Sequence, residues 1–242
     1  MNKGNWQEAY RLARYEIRES LRLLKGTGVI LLLLLLLFIL KGSIIDLHTK
    51  SKLLFLYDVL FLAIFGVVWT RPSEFILKSK KETLLSPTVV ALFQLPVRAA
   101  TIIKRQYILM LFYKLLFQVP LLCILYFTCT SIREAMPGSI YLAFSICWIS
   151  FSIVSGGLNI IEDFGERITL AGKIWRMLIF ICFIVLYSML QMKTGSGIVY
   201  TSITLVQNWP LLTSLLFSLI AASSLYIWHY YHLRNMRNLD YL

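Results

Sequence analysis

Six long apolar segments fill most of this chain and limit the folds that it can adopt. They are predicted at 28–47, 53–70, 106–129, 139–161, 174–192 and 208–228. A helix rises about 1.5 Å per residue and the hydrocarbon core of a bilayer is about 30 Å thick, so roughly 20 apolar residues cross it. A soluble domain of 242 residues needs no such set of segments. We therefore expect an all-α integral membrane protein with six transmembrane helices, forming one polytopic domain over 1–242.

The composition agrees with a membrane protein. Hydrophobic residues make up 58% of the chain and charged residues 15%, whereas soluble domains average about half and a quarter. The run 30–40 has no polar side chain. Because a helical pattern precedes it and five further spans follow, it is not a secretory signal peptide. The four cysteines lie within predicted spans, which argues against a disulfide framework.

The distribution of Lys and Arg predicts the orientation of the chain. Of the 24 basic residues, eighteen fall in the amino-terminal segment, in the loops 71–105 and 162–176 and in the tail, and five fall on the opposite side. Short loops rich in Lys and Arg stay in the cytoplasm. Both termini are therefore expected to be cytoplasmic, in a cell membrane, with a bacterial plasma membrane favoured. The net charge of +12 then reflects topology, and no nucleic-acid partner is expected.

Residues 5–25 form a predicted amphipathic helix ahead of the first span. Apolar residues recur there at spacings of three and four, and Glu8 and a row of arginines occupy the other faces. A basic amphipathic helix next to a membrane span is expected to lie in the interface, with its apolar side among the acyl chains. The alternative is a cytoplasmic helix packed against another protein. Pairing of Glu16 or Glu19 with Arg22 or its neighbours is also expected.

The loop 71–105 is the longest connection, and it mixes apolar residues with charge. Ser86-Pro87 has the form of a helix start, with a capping serine and a proline in the first turn. Leu95-Pro96 then breaks that helix, because proline has no N–H and disfavours helix just before it. A new helix is expected from Ala99 into the third span. The apolar face of this loop needs a partner, either another protein or the chain's own amino-terminal helix.

This loop resembles that of the permease subunits of ABC-2-type transporters. The resemblance rests on the overall topology and on two short stretches, Glu82-Thr83-Leu84-Leu85 and Leu95-Pro96-Val97-Arg98 followed by Ala99 to Ile103. The family pattern has a serine after Pro-Val, which this chain lacks. The resemblance implies a coupling helix around 82–98 that docks on a cytoplasmic ATPase. It also implies a second permease subunit, identical or different, with the transport path near their interface.

The chain itself lacks a nucleotide-binding motif. Its nearest approach, Gly165 to Gly172-Lys173, has glycines too far apart for a phosphate-binding loop, and Ile174 stands where Ser or Thr would hold magnesium. No cofactor is therefore expected on this chain, and ATP and Mg²⁺ would bind a separate ATPase polypeptide. The chain is expected to be a non-catalytic subunit.

Asp58 and Lys114 are ionisable residues that fall within the second and third predicted spans. Such groups cost several kcal/mol in a bilayer and usually face a cavity, a partner or the interface. The functional hypothesis is that they pair with each other or line a transport path. The alternatives are that Lys114 snorkels toward the cytoplasm or that the ends of the spans are wrongly placed.

An acidic cluster, Glu162-Asp163-Phe164-Gly165-Glu166-Arg167, resembles the Glu-Glu-x-x-x-Arg signature of CAAX-type intramembrane proteases, with Asp163 in place of a glutamate. A metal-dependent protease also needs histidines on other helices. His229 and His232, beside Trp228 at the end of the sixth span, suit an interfacial aromatic belt better, so no metal site is expected. The cluster is instead predicted to be a solvated turn, with Glu162, Asp163, Glu166 and Arg167 as a second contact for the ATPase.

These features together predict the membrane-spanning permease of an ATP-driven exporter. Its partners would be ABC ATPase subunits, a second permease and membrane lipid. From the resemblance, the substrate is expected to be amphipathic or hydrophobic, such as an antimicrobial peptide, a lipid-linked molecule or a drug. The competing hypothesis is a non-transporting immunity or scaffold protein that binds a partner through 71–105, and a protease is a remote third.

Overall fold

The computed structural model describes residues 6–23, 58–59, 61–67, 78–80, 83–85, 92, 96–163 and 197–237. These residues are almost entirely helical. The helices are α1 (Trp6–Leu23), α2 (Ala99–Thr128), α3 (Thr130–Ala135), α4 (Gly138–Asp163), α5 (Ile198–Asn208) and α6 (Pro210–Arg237). Two short strands, β1 (Lys78–Lys80) and β2 (Thr83–Leu85), and a π-helical turn at Ala63–Val67 complete the described part.

Three of the described helices are long and apolar enough to cross a membrane, and they indicate a membrane protein. They are Ala99–Thr128, Gly138–Gly157 within α4, and Pro210–Arg234 within α6. They correspond to the third, fourth and sixth predicted spans. The first and fifth predicted spans, at 28–47 and 174–192, lie outside the described residues. Within the second predicted span, 53–70, the described residues are helical and include the π-helical turn.

The predicted amino-terminal helix is confirmed as α1, which packs along α2. Its spacing of apolar residues selects a helix, and Glu8 in its first turn interacts favourably with the helix dipole. Ala9 and Ala13 are fully buried. Small side chains at these positions allow the two helix axes to approach closely.

Helix α2 begins where the proline break in the sequence predicted a new helix. Arg98 is its N-cap, with an extended backbone at φ −66° and ψ 136°. The helix therefore starts at Ala99, and the third span extends further toward the amino terminus than the apolar run from 106 indicated. It continues unbroken past Pro120 to Thr128. At Cys129 the backbone becomes extended again, and the short helix α3 follows.

The prediction of a coupling helix around 82–98 is wrong at its beginning. Thr83–Leu85 form a strand that pairs antiparallel with Lys78–Lys80, with Ser79 opposite Leu84. The two strands satisfy each other's backbone groups over a two-residue connection. Leu92 is helical, in agreement with the predicted helix after Ser86-Pro87, and the other residues at 86–91 and 93–95 lie outside the described residues.

The sixth predicted span, 208–228, is part of a longer and interrupted helical region. Helix α5 ends at Asn208, Trp209 adopts φ −140° and ψ 62°, and α6 starts at Pro210. A proline is tolerated in the first turn of a helix because its missing N–H would have no partner there. The sequence therefore located the start of the span, but it did not reveal α5 as a separate helix.

Helix α4 is central to the packing of the described elements. It contacts α6 most extensively and also contacts α2, α5, the π-helical turn and β2. The largest hydrophobic cluster joins the π-helical turn, α2 and α4 through stacked and edge-on aromatic rings, notably Phe61, Phe65 and Trp148. A second cluster joins the amino-terminal half of α2 to α4, α6 and the residues just before Ala99.

Candidate functional site

A buried polar cluster centred on Lys114 joins α2 to α4. The Lys114 ammonium group donates to the backbone carbonyl of Ser152 at 2.7 Å and to its hydroxyl at 3.0 Å. It also contacts the Ser155 hydroxyl at 3.3 Å. One turn further along α2, the Gln118 side chain donates to the same Ser152 hydroxyl at 2.6 Å. Among the described residues, the Gln118 carbonyl oxygen has no hydrogen-bond partner.

Lys114 lies at the midpoint of α2, a membrane-length helix of 30 residues, and its side chain is 3% exposed. It does not snorkel toward a helix end, because its amine is bonded within α4. Three oxygens solvate the amine, but in the part of the chain that the structure describes no carboxylate forms an ion pair with it. A cationic group at this depth is costly and usually serves a function.

Two glycines beside this cluster keep α4 close to its neighbours. A Cβ at Gly156 would collide with the Met110 sulfur and press on the Lys114 side chain. A Cβ at Gly157 would collide with the indole ring of Trp228 on α6. That indole donates to the Val154 carbonyl at 3.0 Å. The Ser155-Gly156-Gly157 stretch therefore allows α2 and α6 to approach α4 from two sides, as small residues do in membrane helices.

Asp58 does not pair with Lys114 but caps helix α5. Ile198 and Val199 donate their backbone N–H groups to the two carboxylate oxygens at 2.9 and 3.0 Å. Gly197 permits this contact, because a Cβ there would collide with the carboxylate. The first N–H groups of a helix have no partner within it, and an acidic side chain at that end also interacts favourably with the helix dipole. Asp58 thus fixes α5 to the second predicted span.

A second buried charged contact ties α1 to α2. Arg105 donates to Glu16 at 2.5 Å, both side chains are almost completely buried, and Tyr113 approaches the other Glu16 oxygen at 3.4 Å. Glu16 thus contacts α2, and the side chain of Arg22, with which Glu16 or Glu19 was predicted to pair, lies outside the described side chains. The Glu16–Arg105 pair lies near the start of α2, two turns from the loop that precedes it.

The predicted ATPase-coupling residues fall into two groups. Thr83, Leu84 and Leu85 lie in β2, and Pro96, Val97 and Arg98 lie at the entry to α2. Glu82 and Leu95 lie outside the described residues. Val97, together with Leu92, packs on the cluster formed by Ile102, Ile103 and their neighbours. Part of the loop's apolar surface is therefore covered by the chain's own helices.

The acidic cluster and the histidines do not form a site in the described residues. Glu162 and Asp163 end helix α4, and Glu166 and Arg167 lie outside the described residues. His232 is buried against the rings of Tyr107 and Trp228, so it is a packed side chain and not part of an exposed aromatic belt. Within the described residues, no three His, Cys, Asp or Glu side chains gather to hold a metal ion.

Sequence reasoning identified Lys114 and Asp58 but missed their partners. Ser152 and Ser155 are three residues apart and therefore share a face of α4. This spacing of two serines in an apolar span is the feature of the sequence that could have indicated a polar contact there. Glu16 and Arg105 stand far apart in the chain, so only their packing reveals the pair. The role of Gly197 could not be predicted from the sequence, because it depends on the position of Asp58 in another helix.

Comparisons with protein-family models, with curated proteins and with solved structures give no match. What the chain does therefore has to be inferred from its own residues and their geometry.

Proposed function

We propose that this chain is the membrane-spanning permease subunit of an ATP-driven exporter of the ABC-2 type. It would act with a second permease and with separate ATPase subunits that bind ATP and Mg²⁺. Both termini and the loop 71–105 would face the cytoplasm of the cell. The substrate would be amphipathic or hydrophobic, and a non-transporting immunity or scaffold protein is the competing hypothesis.

The observation that carries this proposal is the continuous connection from the loop to the membrane helices. Pro96, Val97 and Arg98 lead directly into α2, and Val97 packs on the same cluster as Ile102. Arg105, two turns further on, is bonded to Glu16 of α1. A push on the loop would therefore move α2 and α1 together, which is what a coupling element has to achieve.

The polar cluster at the centre of α2 adds to this argument. A displacement of α2 along α4 would change the contacts of Lys114 with Ser152 and Ser155, since these bonds cross between the two helices. A buried polar cluster between two membrane helices is a suitable place for a transport path to open. Because Thr83–Leu85 form a strand, the docking element for an ATPase would include the β1–β2 hairpin.

Co-purification tests the proposal. The full-length protein, gently solubilised from its own host, should retain an ATPase at a fixed stoichiometry. Leu84→Ala and Pro96→Ala should release that ATPase, because both changes fall in the docking loop. Leu205→Ala, an exposed leucine on α5, serves as the matched control and should retain it.

Two results would reject the exporter. The first is the absence of any ATPase from the purified protein, and the second is an unchanged export or resistance phenotype in both loop variants. Sidedness gives an independent check, because a cysteine introduced by Ser86→Cys should react only with thiol reagents that reach the cytoplasm. Labelling of that cysteine from outside intact cells would place the loop on the wrong side.

A further inference from the structure

Helix α1 has two apolar surfaces with different roles. Its fully buried residues, Ala9 and Ala13, face α2 together with Glu16. Of its larger apolar side chains, Leu12 and Ile17 are partly buried against neighbouring clusters, whereas others remain exposed. Trp6 is 56% exposed, Tyr10 55% and Leu21 45%. At 100° per residue these three lie within a narrow sector next to the buried face, so they form an apolar edge that the described helices leave partly uncovered.

A basic surface adjoins that apolar edge. Arg14 and Arg18 are exposed and follow Tyr10 at intervals of four, so they lie in line beside it on the helix. In the described residues neither arginine forms an ion pair or a hydrogen bond. Lys104, from the second turn of α2, lies with its ammonium group 4.6 Å from the centre of the Trp6 ring. Three cationic groups therefore border one exposed apolar edge.

The position of α1 limits what this surface can meet. The Glu16–Arg105 pair and the packing of Ala13 on Leu109 and Tyr113 fix α1 against the amino-terminal half of a membrane-length helix. A helix at that level, with aromatic and leucine side chains beside arginines, matches the interface between headgroups and acyl chains. Guanidinium groups bind phosphate through paired hydrogen bonds and remain charged.

We propose that α1 is a binding surface for anionic phospholipid. Arg14 and Arg18 bind the phosphate and the net negative charge of the headgroup. Trp6, Tyr10 and Leu21 insert among the acyl chains just below it. The proposal adds a lipid preference that the exporter hypothesis does not contain, and it holds whether or not the chain transports anything.

Lipid selectivity can be measured on the full-length protein in nanodiscs of phosphatidylcholine. Spin-labelled phosphatidylglycerol and spin-labelled phosphatidylcholine report their relative association constant by electron paramagnetic resonance. The unmodified protein should select phosphatidylglycerol, and 0.5 M salt should weaken this selection through screening. Arg14→Gln and Arg18→Gln should each lower the relative constant by up to about fivefold, and Arg14→Lys with Arg18→Lys should retain most of it.

Arg133→Gln, an exposed arginine on α3, is the matched control and should leave the selectivity unchanged. A melting temperature measured for each variant shows whether it is folded. The proposal fails if the unmodified protein prefers neither lipid, or if a folded Arg14→Gln/Arg18→Gln variant keeps full selectivity. It also fails if that variant loses a stoichiometric protein partner while its lipid selectivity is unchanged, because the surface would then be a protein-docking site.

Discussion

Glu16 and Arg105, separated by 89 positions in the chain, form a buried ion pair with a 2.5 Å contact between α1 and α2. Two charges removed from water are costly unless they are paired with good geometry. This pair therefore sets where α1 lies on α2, while the alanines beside it set how closely the two helices pack.

Removing one member of this pair should be strongly destabilising. Glu16→Gln removes the carboxylate charge that faces the buried Arg105 guanidinium, and losses of about 3–5 kcal/mol are typical when one partner of a buried ion pair is removed. Thermal unfolding of the full-length protein in detergent measures the effect, with Glu8→Gln at an exposed position of the same helix as control. The double variant Glu16→Leu/Arg105→Met should lose less than Glu16→Gln alone. Equal melting temperatures for Glu16→Gln and Glu8→Gln would show that the pair contributes nothing.

Lys114 offers a way to separate a structural role from a functional one. Lys114→Met keeps the volume of the side chain and removes its charge, so stability should change by less than about 1.5 kcal/mol. Lys114→Ala should cost about 2–5 kcal/mol, because it also leaves a cavity between α2 and α4. If Lys114 serves transport, the stable methionine variant loses export activity. A methionine variant with full activity would assign Lys114 to packing alone.

Gly157 should not tolerate even one added methyl group. In Gly157→Ala the new Cβ meets the indole ring of Trp228, so α4 and α6 have to separate, at a cost of about 1–3 kcal/mol. Gly138→Ala is the control, since its Cβ would lie at an ordinary 3.5 Å from the Tyr126 hydroxyl. Melting temperatures compare the two, and Trp228→Phe should partly restore the Gly157→Ala variant. A Gly157→Ala protein as stable as the control would mean that the helices adjust without cost.

The Asp58 carboxylate should hold α5 in place. Asp58→Ala leaves the N–H groups of Ile198 and Val199 without their acceptor, and the loss of a helix cap costs about 0.5–2 kcal/mol. Val206 is completely buried on α5, so a cysteine introduced by Val206→Cys into a protein without native cysteines reports release of the helix. A hydrophilic thiol reagent should label it faster with Asp58→Ala, whereas Asp58→Asn should have a smaller effect. Identical labelling rates would show that α5 is held by its apolar contacts.

The predictions from sequence succeeded where a local pattern of residues is enough to determine that a segment is helical or where a helix begins. The period of apolar residues in 5–25 predicted α1, and Leu95-Pro96 predicted that a helix would begin at Ala99. Uninterrupted apolar length predicted α2, α4 and α6, which are long and apolar enough to cross a membrane. The strand at Thr83–Leu85 was missed because three residues have no decisive period, and their conformation depends on the partner strand.

The sequence by itself determined that several helices of this chain suit a lipid bilayer and that Asp58 and Lys114 would need an explanation inside it. Only the tertiary structure decided which groups meet them: the amides of α5 for Asp58 and the serines of α4 for Lys114. It also paired Glu16 with Arg105 and left Trp6 and Arg14 exposed on α1. The physical reason is that hydrophobic length is a property of one segment, whereas the partner of a buried charge depends on how separate helices pack.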